Sequence, residues 1–165
     1  MADELDQVAR HLVGLGPRIR RVPFLVGRML EDRVGLTALQ AQTLLEVADG
    51  ATRLRDVAAR TTQMQSAASR TVDGLVADGL LDRDADPDDR RSLRLTLTTE
   101  GRRAVDRIEA VQLAFSRRVL DTMASDDAAR VAEVLDAYLD GALRVLAEDG
   151  REVTAPEPGP SRAAP

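Results

Sequence analysis

The sequence predicts a mainly α-helical protein with one small β-hairpin, and three observations carry that prediction. Apolar residues recur at spacings of three and four along most of the 165 residues, as amphipathic helices require. One stretch breaks this rhythm: Leu93, Leu95 and Leu97 alternate at period two, the pattern of a strand with one buried face. Between it and a second strand candidate at 80–83, residues 84–90 carry turn chemistry punctuated by Pro87.

Composition narrows the function classes. A chain of this length buries roughly 70% of its unfolded surface, enough for a core without metal or disulfide staples. Hydrophobic residues make up 44% and charged residues 31%, a globular balance, whereas aromatics are only 2%. Phe24, Phe115 and Tyr138 are too few to form a platform on which single-stranded bases stack, which argues against a single-strand or RNA reader. The absence of cysteine excludes disulfides, thiolate catalysis and Cys-based zinc sites. With no histidine pair and no Gly-rich phosphate loop, and with its densest carboxylates (84–89) beside arginines that lower their pKa values, the chain is read as no enzyme, with no cofactor and no metal. No run of 18 apolar residues and no leader pattern is present, so a cytoplasmic protein with no membrane partner is expected.

Net charge is −5, which on its face disfavours a polyanionic partner. The distribution is uneven, however: Arg53, Arg55, Arg60 and Arg70 against Asp56 give residues 53–70 a charge of +3. That segment is the basic footprint.

The elements follow in order. Apolar residues from Leu5 to Leu30 form a helical stripe, interrupted by Pro17 and Pro23, so a kinked helix or two helices are expected over 3–33. Thr37-Ala38-Leu39-Gln40 is a capping box that starts the next helix, with an apolar face of Ala41, Leu44, Leu45 and Ala48, Val47 at its edge, and Gly50 placed to stop it. A short helix over 54–60 presents Leu54, Val57 and Ala58. A third helix over 65–78 buries Ala68, Val72, Leu75 and Val76, shows Ser66, Ser69, Arg70 and Asp73, and ends at Gly79. Two helices joined by a short turn, the second polar in its N-terminal half, make a helix-turn-helix pattern, and the hairpin follows at once.

Beyond it, Thr98 caps a helix to about residue 123, and Ser125 with Asp126 and Asp127 starts another to about residue 147. The last helix is apolar along two lines, Val131, Leu135 and Tyr138, and Val134, Leu139 and Leu143. Such breadth calls for cover from two sides, which a partner chain supplies. From Gly150 on, Pro, Glu, Ala and Gly dominate and a disordered tail is expected. His11, the one histidine, reads as a surface or interface residue, and Arg18, Arg20 and Arg21 as an exposed basic turn.

This order of elements, with Asp86-Pro87-Asp88-Asp89-Arg90-Arg91 before a strand ending in Leu97-Thr98-Thr99-Glu100-Gly101, resembles the MarR family of transcriptional regulators. Ser69-Arg70-Thr71-Val72-Asp73-Gly74-Leu75 stands where that family has its recognition-helix motif, and Asp89-Arg90-Arg91 where it has the Asp-x-Arg of its wing. Met64 stands where a capping Ser or Asp is usual, Arg53 where a Ser or Thr is usual, and Thr61 where an apolar residue is expected, and Gly74 weakens the helix it sits in.

The resemblance implies a winged helix-turn-helix domain at 36–99, an N-terminal dimerisation helix at 1–35, C-terminal dimerisation helices at 100–148 and a tail at 149–165. It implies a homodimer that binds double-stranded DNA at a palindromic operator, acting as a repressor, with a small aromatic or anionic effector. Gln65, Ser66, Ala67, Ser69 and Arg70 would approach base edges, Arg70 being suited to hold two acceptors of guanine. Asp89, Arg90 and Arg91 would serve the wing, with Arg91 reaching the minor groove and Asp89 orienting it. Arg53, Arg55 and Arg60 would meet phosphates. The competing reading of the same residues is a winged-helix protein-interaction module without DNA binding, which the acidic balance and altered caps favour.

Overall fold

The computed structural model describes residues 2–85 and 93–148. Its order is α1 (Ala2–Val34), α2 (Ala38–Ala48), α3 (Leu54–Arg60), α4 (Gln65–Ala77), β1 (Leu81–Ala85), β2 (Leu93–Leu97), α5 (Thr99–Leu120) and α6 (Ser125–Glu148). The strands pair antiparallel, Leu81 opposite Leu97 and Arg83 opposite Leu95. The mainly helical architecture with one hairpin is as the sequence predicts. β1 runs two residues further than expected, because Asp84 and Ala85 still pair with Arg94 and Leu93.

α1 continues unbroken through both prolines. Each proline leaves the carbonyl four residues earlier without an amide donor. Those carbonyls belong to Val13 and Ile19, residues that are well exposed, where an unpaired carbonyl is not buried away from solvent and the helix is not forced to divide. Arg18, Arg20 and Arg21 accordingly lie on an exposed helix and not in a turn. The end of α1 docks on the body through Leu30, and Gly27 permits the approach: a Cβ there would stand 2.8 Å from the Cβ of Ala38.

α2 starts with the predicted capping box, in which the Gln40 amide donates to Thr37 Oγ1 at 3.3 Å and the Thr37 amide to Gln40 Oε1 at 3.0 Å. Its buried face differs from the expected one. Val47 and Thr43 are buried with Ala41 and Leu44, Leu45 is half-buried and Ala48 is exposed, because α2 packs against α1 and α5 as well as α4 and the hairpin. Gly50 and Gly79 end α2 and α4 in the left-handed region, at φ 94° and 70°, where a side chain would be strained.

One core joins these elements, built around Leu30, Leu44, Val57, Val72, Leu75, Leu81, Leu95 and Ile108. The hairpin is tied into it by the Leu95 amide, which donates to the Thr52 carbonyl at 2.7 Å. Of the alternating leucines only Leu95 is buried; Leu97 is half-buried and Leu93, toward the tip, is exposed.

The start of α5 locks onto the same region. Thr98 Oγ1 accepts from the Gly101 amide at 2.9 Å and donates to the Gly79 carbonyl at 2.7 Å. Gly101 itself lies on the Leu80 carbonyl so closely that a Cβ would overlap that oxygen and press Leu97 Cδ2 at 3.2 Å.

α6 is different in kind: it begins at Ser125 as its first helical residue and has no buried residue. Val134, Leu135, Tyr138, Leu139 and Val145 are exposed, as are Leu5, Val8, Ile19, Val22 and Phe24 of α1. Among the described residues no helix is long and apolar enough to cross a membrane.

Candidate nucleic-acid interface

α3, the turn 61–64 and α4 form the helix-turn-helix. Thr61, placed where an apolar residue was expected, is buried yet satisfied: its hydroxyl donates to the Val57 carbonyl at 2.7 Å and accepts from Gln63 Nε2 at 2.7 Å. Thr62 turns the chain at φ 52°, an uncommon conformation for a β-branched residue. Neither α3 nor α4 has a side-chain N-cap hydrogen bond, since Arg53 and Met64 occupy those positions with extended backbones.

The N-terminal ends of α3 and α4 and the hairpin line one cleft of about 430 Å³, whose walls include Arg53, Arg55, Gln65, Ser69, Arg83 and Leu93. With Leu54 and Leu95 the lining numbers eight residues, of which five are polar and three carry guanidinium groups. Ser66 and Arg70 are exposed on α4, and Ala67 is half-buried. Among the described residues no hydrogen bond or ion pair engages Arg70.

The predicted basic residues are not all placed alike. Arg53 and Arg55 reach the cleft, Arg55 with Nε 3.4 Å from Asp56 Oδ1. Arg60 is turned into the fold, where Nη1 donates to the Asp49 carbonyl at 3.2 Å and lies 3.8 Å from Glu46 Oε2. Burial raises the Glu46 carboxyl above the ordinary range, and the Arg60 charge opposes that shift. Asp89, Arg90 and Arg91 lie outside the described residues.

The sequence reading did not assign Arg83 or Leu93 to the site. Asp73 pairs with Arg83 of β1, Nη2 to Oδ1 at 2.6 Å. That ion pair fastens the hairpin to α4. The signal was available in the period of β1, since Leu81 is buried and Arg83, two residues on, shares its face. Leu93 joins the cleft because the strand leaves the core before its first leucine.

Gly74 sits inside α4, and a Cβ there would meet nothing within 4 Å. Gly74→Ala is therefore expected to stabilise the protein by about 0.5–1 kcal/mol, through the lower backbone entropy of its unfolded chain. A melting curve should move up by about 2 °C. A downward shift would mean that α4 needs glycine for a reason other than local space.

These elements define a class: a winged helix-turn-helix flanked by long helices. Residues 34–92 match the model of the MarR family. The chain as a whole has the fold of the transcriptional regulators of that family. A MarR-family regulator from Silicibacter pomeroyi is 27% identical, with 81% of this chain and 86% of that one covered and a TM-score of 0.62. The transcriptional regulator BldR from Sulfolobus solfataricus is 21% identical, with 87% and 97% covered and a TM-score of 0.68. Wild-type MarR from E. coli, in its apo form, is 23% identical, with 76% and 96% covered and a TM-score of 0.65. No curated relative matches the chain by sequence.

Proposed function

We propose that the protein is a sequence-specific double-stranded DNA-binding transcriptional regulator, a homodimeric repressor whose operator affinity responds to a small ligand. The observation that carries the reading is the convergence of α3, α4 and the hairpin on one arginine-lined cleft, beside an exposed and unengaged Arg70. An overall charge of −5 is no obstacle when the positive groups gather on the one surface a duplex would meet.

In this mechanism α4 enters the major groove, where Gln65, Ser66, Ala67, Ser69 and Arg70 approach base edges. Arg53 and Arg55 contact phosphates and fix the register. Arg60 contributes to that field from within the fold, its guanidinium being held by Asp49 and Glu46. The wing residues Asp89, Arg90 and Arg91 work at the adjacent minor groove, Arg91 inserting.

The second copy covers the apolar residues of α6 and of the first part of α1; their exposure supports this, since a lone helix with no buried face gains nothing by folding. The intervals 1–35 and 100–148 are then the dimerisation elements around the DNA-binding domain 36–99. A two-fold dimer presents its recognition helices to half-sites about one helical turn apart, hence a palindromic operator. A cleft of about 410 Å³ between α2, β2 and α5 has Val47, Leu97 and Val105 as apolar walls with both Arg102 and Asp106 in its lining, which supports room for a small effector.

Selection of duplex fragments by the full-length protein, followed by gel shift, tests the reading. Arg70→Ala is expected to lower affinity by about 1–3 kcal/mol and to relax preference at one base pair of each half-site. Arg91→Ala is expected to weaken binding about tenfold with the dimer intact. An unchanged midpoint for Arg91→Ala would remove the wing from the mechanism, and the absence of duplex binding at low salt would favour a protein-interaction module.

A further inference from the structure

Met64 is 80% exposed, the largest exposure among the exposed large apolar residues described. Its surroundings make this unusual. The other strongly exposed apolar side chains lie on α1, α5 and α6, except Leu93 at the cleft, whereas Met64 stands at the turn into α4, next to Gln65 and Ser66. The position also departs from local rules. It is the N-cap of a helix, with the extended backbone of a cap (φ −65°, ψ 142°), yet methionine offers no oxygen to the first amides of α4. A serine or aspartate there would stabilise the helix and remove an apolar side chain from water. Such a twofold local cost is what a residue kept for contact with a partner shows.

Resting on the reading of α4 as the recognition helix, we propose that Met64 is a specificity-determining residue that packs on the 5-methyl group of a thymine in the major groove. In that groove the methyl is the one apolar feature a base pair presents, and it distinguishes thymine from cytosine and from uracil. The unbranched, polarisable thioether chain adapts to such a surface without needing a hydrogen bond. It sits one residue before Gln65, so a methyl contact by Met64 adds apolar readout next to the polar readout of Gln65, Ser69 and Arg70.

The test uses the full-length protein and a duplex it selects, with each thymine of the half-site replaced in turn by deoxyuridine, which removes only the methyl group. Burial of one methyl is worth about a fourfold change in affinity, so symmetric replacement in two half-sites should weaken wild-type binding by about fifteenfold at one position. Met64→Ala should bind the thymine and uracil duplexes equally at that position. Met64→Ser should do the same while raising the melting temperature by about 2–4 °C, because it restores the cap. A gain in stability with a loss of discrimination cannot come from misfolding. Unaltered discrimination in both variants, or wild-type indifference to every thymine, would overturn the proposal and leave duplex binding standing. Failure to bind any duplex would instead overturn the reading on which it rests.

Discussion

Gly101→Ala is expected to destabilise the protein by about 3 kcal/mol or more, lowering the melting temperature by about 6–12 °C. The added Cβ would overlap the Leu80 carbonyl oxygen, a backbone atom that also accepts from the Thr98 amide at 3.2 Å and cannot swing aside as a side chain can. Relief requires α5 to retreat from the hairpin, and with it Ala104, Val105 and Ile108, all buried in the common core. The same substitution at Gly74 meets open space and is expected to act in the opposite direction. Thermal unfolding of the two variants side by side decides the matter: equal effects would show that backbone entropy, and not the contact at Leu80, sets the value of Gly101.

The second large effect is on binding. A dimer whose two copies together make 6 to 10 phosphate contacts should lose about 10³ to 10⁵ in affinity between 50 and 200 mM salt, through release of condensed counterions. Arg53 and Arg55 at the cleft, together with the wing arginines of each copy, are the groups that would supply those contacts. Fluorescence anisotropy on a selected duplex, repeated across that range, gives the slope directly. A flat affinity would count against direct engagement of the duplex backbone. Arg55→Ala should lower the slope without changing which sequence is preferred, the behaviour that separates a phosphate contact from a base contact.

Much of this architecture was legible because it obeys local rules. The capping box at Thr37, the left-handed stops at Gly50 and Gly79, and the cap at Thr98 each depend on residues within a few positions of one another, and each is found. The failures have non-local causes. The buried face of α2 turns toward Val47 because helices pack on it from two sides, which periodicity within eleven residues does not encode. Pro17 and Pro23 do not divide α1, since the residues whose carbonyls they leave unpaired are exposed.

At the candidate interface the same distinction holds. Gln65, Ser69, Arg53 and Arg55 come together because the helix-turn-helix is a local motif. The ion pair of Asp73 with Arg83 is not legible locally, because Arg83 reaches it only after the chain has left α4 and entered β1. Arg60 looked like a phosphate ligand by charge alone, and its hydrogen bond to the Asp49 carbonyl spans eleven residues. Asp89, Arg90 and Arg91 rest on the resemblance of their motif.

α4 is fastened at one end only. Its C-terminal turn is closed by Gly79 and by the Leu80 amide on the Leu75 carbonyl, and its flank is held by Arg83, while its first turn begins at an uncapped methionine. Opening therefore costs least at residues 65–67, and amide hydrogen exchange should slow along the helix from Gln65 toward Leu75. If α4 enters a groove as proposed, a first turn that opens this readily would lose conformational entropy on contact, trading affinity for the freedom to adjust to the surface it meets.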